Sequence, residues 1–347
     1  MTAVPQKFLV IRLSSLGDVV NALPAVAALG QAHRHAEITW AIEPKYASLL
    51  TGNPFVSRVI EIDTLGWRGR LAAPATWREI AQSVRALRAG VFDAVVDFQG
   101  LVKTGVAAWL CRSPRRIGFA KYRHREAGAG LFYTERVAPP TGHVIEEYLA
   151  LVRRLGAETH GPWQFPLPCS SRSQQEVEAA LAEVGVRDYL LVSPGGGWIR
   201  KRWSPVQYAE LAARLEGVIP WSIVFTGSRA EEGMILEIIR HSGASRARYV
   251  PTSLLQFIAL ARSAKLFIGG DTGPLHVAAA LKVPIVAIYG PTDPARNGPF
   301  SPADIALSNR APVNHTRRGA RQTFLEGISV ENVLAAVQSR LARADAN

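Results

Sequence analysis

The stretch IRLSSLGDVVNALPAV (residues 11–26) places a lone carboxylate, Asp18, where a strand-like run gives way to a helix-like one. An acid at that point can cap the helix, or it can act as a general base toward a substrate hydroxyl. The residues leave both open. The segment IGGDTGPLHVAAAL (268–281) ends a strand in Gly-Gly-Asp-Thr-Gly and begins a helix at once. Glycines let backbone amides approach a ligand, and a helix start favours negative charge, so the arrangement suits a phosphate or diphosphate. Asp271, Thr272, Gly273 and His276 are its candidate lining residues. The plain alternative is a tight turn capped by Asp271 or Thr272.

Two more loops follow strand-like runs. VSPGGGWIRKRWSP (192–205) offers Gly196 and Gly197, with Lys201 close behind. An ammonium there could offset charge on a departing diphosphate, or it could be one solvated member of a Lys/Arg cluster. FTGSRAEE (225–232) offers Gly227 and, four residues on, Glu231. That carboxylate could accept hydrogen bonds from ribose hydroxyls, or simply favour the first turn of a helix.

Other chemistries lack their residues. There is no Asp-x-Asp diphosphate clamp, no Gly-Lys-Ser/Thr loop, no Gly-x-Ser-x-Gly elbow and no His/Cys spacing for zinc. No metal or other cofactor is therefore expected. Cys111 and Cys169 are too few for a disulfide framework and fit a reducing compartment. The opening residues lack a signal-peptide pattern and no apolar run is long enough to span a bilayer. Net charge is +12, which favours an anionic partner. Residues 112–125, RSPRRIGFAKYRHR, carry six Lys/Arg and no acid, and RAPVNHTRRGAR (310–321) is a second basic run. These runs lack the interleaved aromatics and modules of a nucleic-acid binder, so nucleic acid is not expected as a partner.

Such loops need strands ending in line. KFLVIRL (7–13), AEITWAIEP (36–44) and FDAVVDFQG (92–100) read as strands, with helices over 19–32, 75–90, 101–110 and 144–156. The proline-rich, polar stretch 160–175 reads as a linker. Alternation then resumes with strands at 189–195, 221–227, 265–271 and 283–290, and helices at 204–217, 230–241, 253–264, 273–282 and 329–344. The pattern predicts an α/β chain of two Rossmann-like, doubly wound domains, over 1–165 and 176–328, joined by a linker at 166–175. The helix at 329–347 is expected to pack back toward the first domain.

SSLGDVVNALPAV (14–26), DFQGLVKTG (97–105), REAGAGLFY (125–133), KRWSP (201–205), GDTGPLHVAAAL (270–281) and YGPTDP (289–294), in this order, resemble the ADP-heptose:lipopolysaccharide heptosyltransferases of glycosyltransferase family 9. The likeness runs from about residue 7 to residue 340 and is strongest to heptosyltransferase I. It implies the GT-B fold, two Rossmann-like domains facing across a cleft, and inverting, metal-independent transfer of heptose from ADP-heptose to Kdo-lipid A at the cytoplasmic face of the inner membrane. In that reading Asp18 is the base and Lys201 stabilises the diphosphate. Gly17, Gly196, Gly197, Gly227, Glu231, Asp271, Thr272, Gly273 and His276 hold the donor. Lys103, Arg112, Arg115, Arg116, Lys121, Arg123 and Arg125 fall on the acceptor side, where guanidinium groups match carboxylate and phosphate. The rival readings are a transferase of the same fold with another nucleotide sugar or a protein acceptor, and a non-catalytic protein binding anionic surfaces or nucleic acid.

Overall fold

The computed structural model describes residues 6–120, 126–159, 161–196, 202–290, 292–309, 325 and 327–345. The chain divides after Pro168 into two compact units, residues 1–168 and 169–347.

The first unit holds the strands β1 (Lys7–Ile11), β2 (Glu37–Ile42), β3 (Arg58–Glu61), β4 (Ala94–Asp97), β5 (Arg115–Phe119) and β6 (Glu135–Val137). Its helices are α1 (Leu16–Ala32), α2 (Pro44–Ala47), α3 (Thr64–Arg68), α4 (Pro74–Ala89), α5 (Val102–Leu110) and α6 (Val144–Arg153). The strands form one sheet in the order β3-β2-β1-β4-β5-β6, and every described pairing is parallel. Residues 8–11 of β1 and all of β4 are buried, as continuous apolar runs in a doubly covered parallel sheet should be. Helix α1 is apolar around most of its circumference and is buried almost throughout, consistent with a helix covered on several sides.

The second unit repeats the plan. Its strands are β7 (Tyr189–Ser193), β8 (Ser222–Phe225), β9 (Ala247–Tyr249), β10 (Leu266–Gly270), β11 (Ile285–Tyr289) and β12 (Ile305–Ser308). Its helices are α7 (Ser171–Glu183), α8 (Pro205–Leu215), α9 (Glu232–Ser242), α10 (Leu254–Arg262), α11 (Gly273–Ala280), α12 (Pro294–Asn297) and α13 (Val330–Asp345). The sheet order is β12-β11-β10-β7-β8-β9, again parallel throughout. Numbered from its own first strand, this is the same 3-2-1-4-5-6 order as in the first unit. Both sheets therefore reverse direction beside their first strand, at β1/β4 and at β7/β10. Crevices beyond the strand ends at such points are where open α/β sheets bind ligands.

The structure departs from the sequence reading in particular places. Helix α7 begins at Ser171, inside the stretch read as linker, because Ser170 accepts a hydrogen bond from the Ser173 amide and restarts the helix directly after the prolines. Strands β3, β5, β6, β9 and β12 carry no strong apolar run and went unread. Val330, Val333 and Val337 of helix α13 join the core of the second unit with Trp203, Leu211 and Leu215. The Trp203 indole donates to the Ile328 carbonyl at 2.9 Å, just before this helix.

A buried ion pair fixes α13 to the sheet. Arg340 Nε lies 2.9 Å from Asp304 Oδ1, and both side chains are below 10 % exposed. Asp304 also accepts the Ile285 amide that opens β11. Burial pushes the Asp304 carboxyl above its usual range, and Arg340 opposes that rise. Removing the cation alone strands a buried carboxylate, so Arg340→Ala is expected to cost about 3–5 kcal/mol. Urea unfolding followed by tryptophan fluorescence would register this; an unchanged midpoint would mean that α13 is held by its apolar face alone.

Candidate active site

In the first unit the β1/β4 crevice is built around one buried cation. Arg12 follows β1 and is 3 % exposed. Its Nη1 donates to the Phe98 carbonyl at 2.9 Å, tying the end of β1 to the end of β4. Its Nη2 lies 2.6 Å from Asp18 Oδ2. The same carboxylate oxygen accepts the Ser15 amide at 3.1 Å and the Ser15 hydroxyl at 2.8 Å, while Oδ1 accepts from the Tyr148 hydroxyl at 3.3 Å. The Arg12 guanidinium also lies over the Tyr148 ring, 5.5 Å from its centroid. Burial by itself lowers the pKa of this guanidinium. The attraction of Asp18 chiefly, then of Tyr148 and Asp97, outweighs burial, and the value ends above the ordinary one.

The capping reading of Asp18 is realised, and the geometry leaves the carboxylate reachable. Asp18 caps the start of α1 by reaching back to the Ser15 amide, and its side chain remains 36 % exposed. A carboxylate so oriented, and still reachable, can take a proton from a hydroxyl that approaches it. Gly17 is buried beside it in the first turn of α1. Asp97, at the end of β4, is wholly buried and structural. It accepts the Tyr133 hydroxyl at 2.6 Å and the Gln99 amide at 2.8 Å, and burial pushes its carboxyl upward against those bonds.

Lys103, in the first turn of α5, donates to Thr64 Oγ1 at 2.7 Å, and Thr64 in turn donates to the buried Glu43. Burial depresses the Lys103 ammonium most, Glu43 opposes this, and nearby Arg68 depresses it further. Arg112 is exposed, past the end of α5, at φ +55°. Arg115 and Arg116 are engaged within the fold. The Arg115 guanidinium pairs with Glu135 at 2.7 Å and donates to the Arg154 carbonyl, and Arg116 donates to the Phe132 and Ser113 carbonyls. These contacts tie β5 to the segments beside it, and Arg115 remains exposed. Lys121, Arg123, Arg125, Gly197 and Lys201 lie outside the described residues.

In the second unit, loops after β7, β8 and β10 gather around Glu231. Its Oε1 accepts the Gly196 amide at 3.1 Å. Its Oε2 accepts the Ser228 amide at 2.9 Å and the Ser228 hydroxyl at 2.8 Å. One carboxylate thereby laces the loop after β7 to the loop after β8. A methyl on Gly195 would come within 2.0 Å of Glu231 Oε1, so only glycine permits this approach. A methyl on Gly196 would meet Thr272 Cγ2 at 3.1 Å, which brings the β7 loop against the start of α11. Gly227 also packs against Glu231. Asp271 and His276 are both buried. Asp271 Oδ2 accepts the Thr292 hydroxyl at 2.6 Å, and Oδ1 lies 3.4 Å from His276 Nε2. Thr272 is the N-cap of α11 and Gly273 its first residue.

The described candidates named from sequence in this unit therefore fall in one place: Gly196, Gly227, Glu231, Asp271, Thr272, Gly273 and His276. Amides, a helix start and two carboxylates gathered there suit a nucleoside diphosphate. Sequence reading missed Arg12, Tyr148, Thr292 and Arg202, whose Nε donates to the Gly196 carbonyl at 2.7 Å. Arg12 stood in the strand-like run preceding Asp18, and that adjacency was the one signal available. Among the described residues no cluster of His, Cys, Asp and Glu is arranged to hold a metal ion.

This geometry agrees with what the chain is similar to. Residues 80–325 match glycosyltransferase family 9 (heptosyltransferase). The chain is 29 % identical over 326 residues to lipopolysaccharide heptosyltransferase 1 of Pseudomonas aeruginosa, covering 88 % of this chain and 84 % of that protein. It is 27 % identical over 318 residues to the lipopolysaccharide core heptosyltransferase OpsX of Haemophilus influenzae, covering 88 % and 85 %. Among solved structures, E. coli heptosyltransferase WaaC with ADP-2-deoxy-2-fluoro heptose superposes with a TM-score of 0.77 at 24 % identity, over 96 % of this chain and 99 % of that one. The fold is that of these enzymes, and the doubly wound pair expected from sequence is the one observed. The chain belongs to glycosyltransferase family 9, the heptosyltransferases.

Proposed function

We propose that the chain transfers heptose from ADP-heptose to a hydroxyl of Kdo on lipid A, with inversion at the anomeric carbon. The acceptor oxygen attacks that carbon and gives its proton to Asp18. The bond from the carbon to the diphosphate oxygen breaks on the opposite face, and its electron pair leaves with ADP. The observation that carries the reading is the placement of Asp18: an oriented, reachable carboxylate at the switch point of the first sheet.

Arg12 and Tyr148 are positioning residues in this scheme. They hold the two oxygens of Asp18 at fixed angles without themselves touching substrate. Donor binding falls to the second unit, where the start of α11 favours negative charge. Lys201 supplies a cation to the same diphosphate, and Glu231 accepts from the ribose. Lys103, with Arg112, engages the acidic sugar of the acceptor. Closure that excludes water would protect the sugar nucleotide from hydrolysis. The relatives' names, lipopolysaccharide heptosyltransferases, support the pathway, and the ADP-heptose analogue in the WaaC structure supports the donor; with a lipid-borne acceptor, the work would be done at the inner face of the inner membrane.

A comparison of ADP-, UDP- and GDP-sugars as donors tests the substrate assignment. Turnover with ADP-heptose is expected, and turnover confined to a UDP- or GDP-sugar would favour another transferase of the same family. For the base, Asp18→Asn is expected to keep ADP binding and to lose about 10²–10⁴-fold in kcat. That change also leaves Arg12 buried without its counter-charge, so Tm should fall. The double change Arg12→Met/Asp18→Asn should recover Tm but not turnover. Near-normal turnover in the double variant would reduce Asp18 to a helix cap. For the donor loop, Gly195→Ala is expected to raise the KM for ADP-heptose about tenfold with kcat little changed. An unaltered KM would remove this loop from the donor site.

A further inference from the structure

One stretch of the first unit that the reaction does not use carries large apolar side chains outward. Helix α3, the turn after it and the first turn of α4 expose Leu65 by 40 %, Leu71 by 54 % and Trp77 by 60 %. These are not side chains of a loose loop. The Asp63 carboxylate accepts the Gly66 amide at 2.8 Å. Arg70 pairs with Asp63 and with Glu79, each at 3.2 Å, and its Nε donates to the Gly66 carbonyl. Thr76 Oγ1 donates to the Arg70 carbonyl at 2.7 Å. The Trp77 indole N–H donates to the Leu71 carbonyl at 3.0 Å, so its polar edge is satisfied while the ring faces solvent. The segment is a braced knob with an apolar surface.

Residues 63–79 carry three arginines, Arg68, Arg70 and Arg78, and two acids, Asp63 and Glu79. Arg70 is neutralised by its two carboxylates. Arg68 and Arg78 are exposed and form no ion pair among the described residues. They flank Leu71 and Trp77 along the chain. The root of the knob is Thr64, the first residue of α3, which accepts from Lys103. The lysine proposed to engage the acceptor thus bonds to the first residue of the segment that carries these apolar side chains.

We propose that residues 64–78 dock the chain on an anionic lipid bilayer. Leu65, Leu71 and Trp77 enter the boundary between headgroups and acyl chains, and Arg68 and Arg78 meet lipid phosphates. The inference deepens the reading of a lipid-borne acceptor and rests on it. A tryptophan whose N–H is already bonded, beside leucine and arginine, suits the interface of a bilayer. The exposed Arg68 and Arg78, which form no ion pair among the described residues, favour a phosphate surface over a second copy of the same face. No helix among the described residues is long and apolar enough to cross a membrane, so attachment by this surface is peripheral and reversible.

The test is co-sedimentation of the full chain with vesicles of phosphatidylethanolamine and phosphatidylglycerol, beside vesicles of phosphatidylcholine alone. Binding to the anionic vesicles is expected, weakening with salt. Leu71→Ser and Trp77→Ser should each reduce it about tenfold while leaving heptose transfer to an acyl-free, water-soluble Kdo acceptor unchanged. Arg68→Gln/Arg78→Gln should bind less and lose most of the salt dependence. Vesicle binding equal in wild type and all variants, or absent in wild type, overturns the inference. So does a dimer that Trp77→Ser dissolves in analytical ultracentrifugation, since the face would then be an interface between copies. Failure of the transferase reading looks different: vesicle binding that responds to these variants, with no heptose transferred to any Kdo acceptor.

Discussion

The ion pair between Arg12 and Asp18 is the constraint from which the first unit's site follows. A guanidinium at the end of a central strand is costly to bury unless it is paired and hydrogen-bonded. Asp18 supplies the pairing and the Phe98 carbonyl supplies a bond from the neighbouring strand. To meet Arg12, the chain after β1 must turn so that the third residue of α1 points back over the strand end. The carboxylate is thereby held at the sheet's switch point, with one oxygen crowded by Ser15 and Arg12 and the other turned to Tyr148. The same contact that stabilises the turn also fixes the orientation of the carboxylate, so helix capping is compatible with the proton transfer proposed for Asp18.

The second unit solves a similar problem with Glu231. Ser15 and Asp18 stand three apart, and so do Ser228 and Glu231; in each pair the acid reaches back to the serine amide and hydroxyl. This reach-back is one half of a capping box. The second oxygen of the acid is then available for a tertiary task. In Asp18 that oxygen meets Tyr148; in Glu231 it fastens the Gly196 amide. Any side chain at 195 would displace this carboxylate, which lies 2.0 Å from where its Cβ would sit. The buried Asp271, joined to Thr292 and His276, holds the remaining loop ends against the start of α11.

Much of this was legible in the chain itself, for identifiable reasons. Central strands such as β1, β4, β7 and β10 are buried on both faces and read as continuous apolar runs. The edge strands β3, β6, β9 and β12 are short and half-exposed, so ERV or ARY gives no pattern to recognise. Strand β5 was hidden because its arginines read as surface charge, while Arg115 is consumed by Glu135 and a carbonyl. In the site, Asp18, Glu231 and the glycine loops announced themselves by residue type at strand ends. Arg12 and Tyr148 did not, since their roles depend on partners 86 and 130 residues away in sequence. Local chemistry is visible in sequence; a partner brought by the sheet order is not.

The central claim concerns one carboxylate, and a crystal structure of the chain with ADP and a Kdo-bearing acceptor addresses it directly. The account predicts an Asp18 oxygen at about 2.6–3.2 Å from the attacking hydroxyl, on the face of the sugar opposite the diphosphate. An acceptor hydroxyl held by other residues, with both Asp18 oxygens still spent on Ser15, Arg12 and Tyr148, would contradict it.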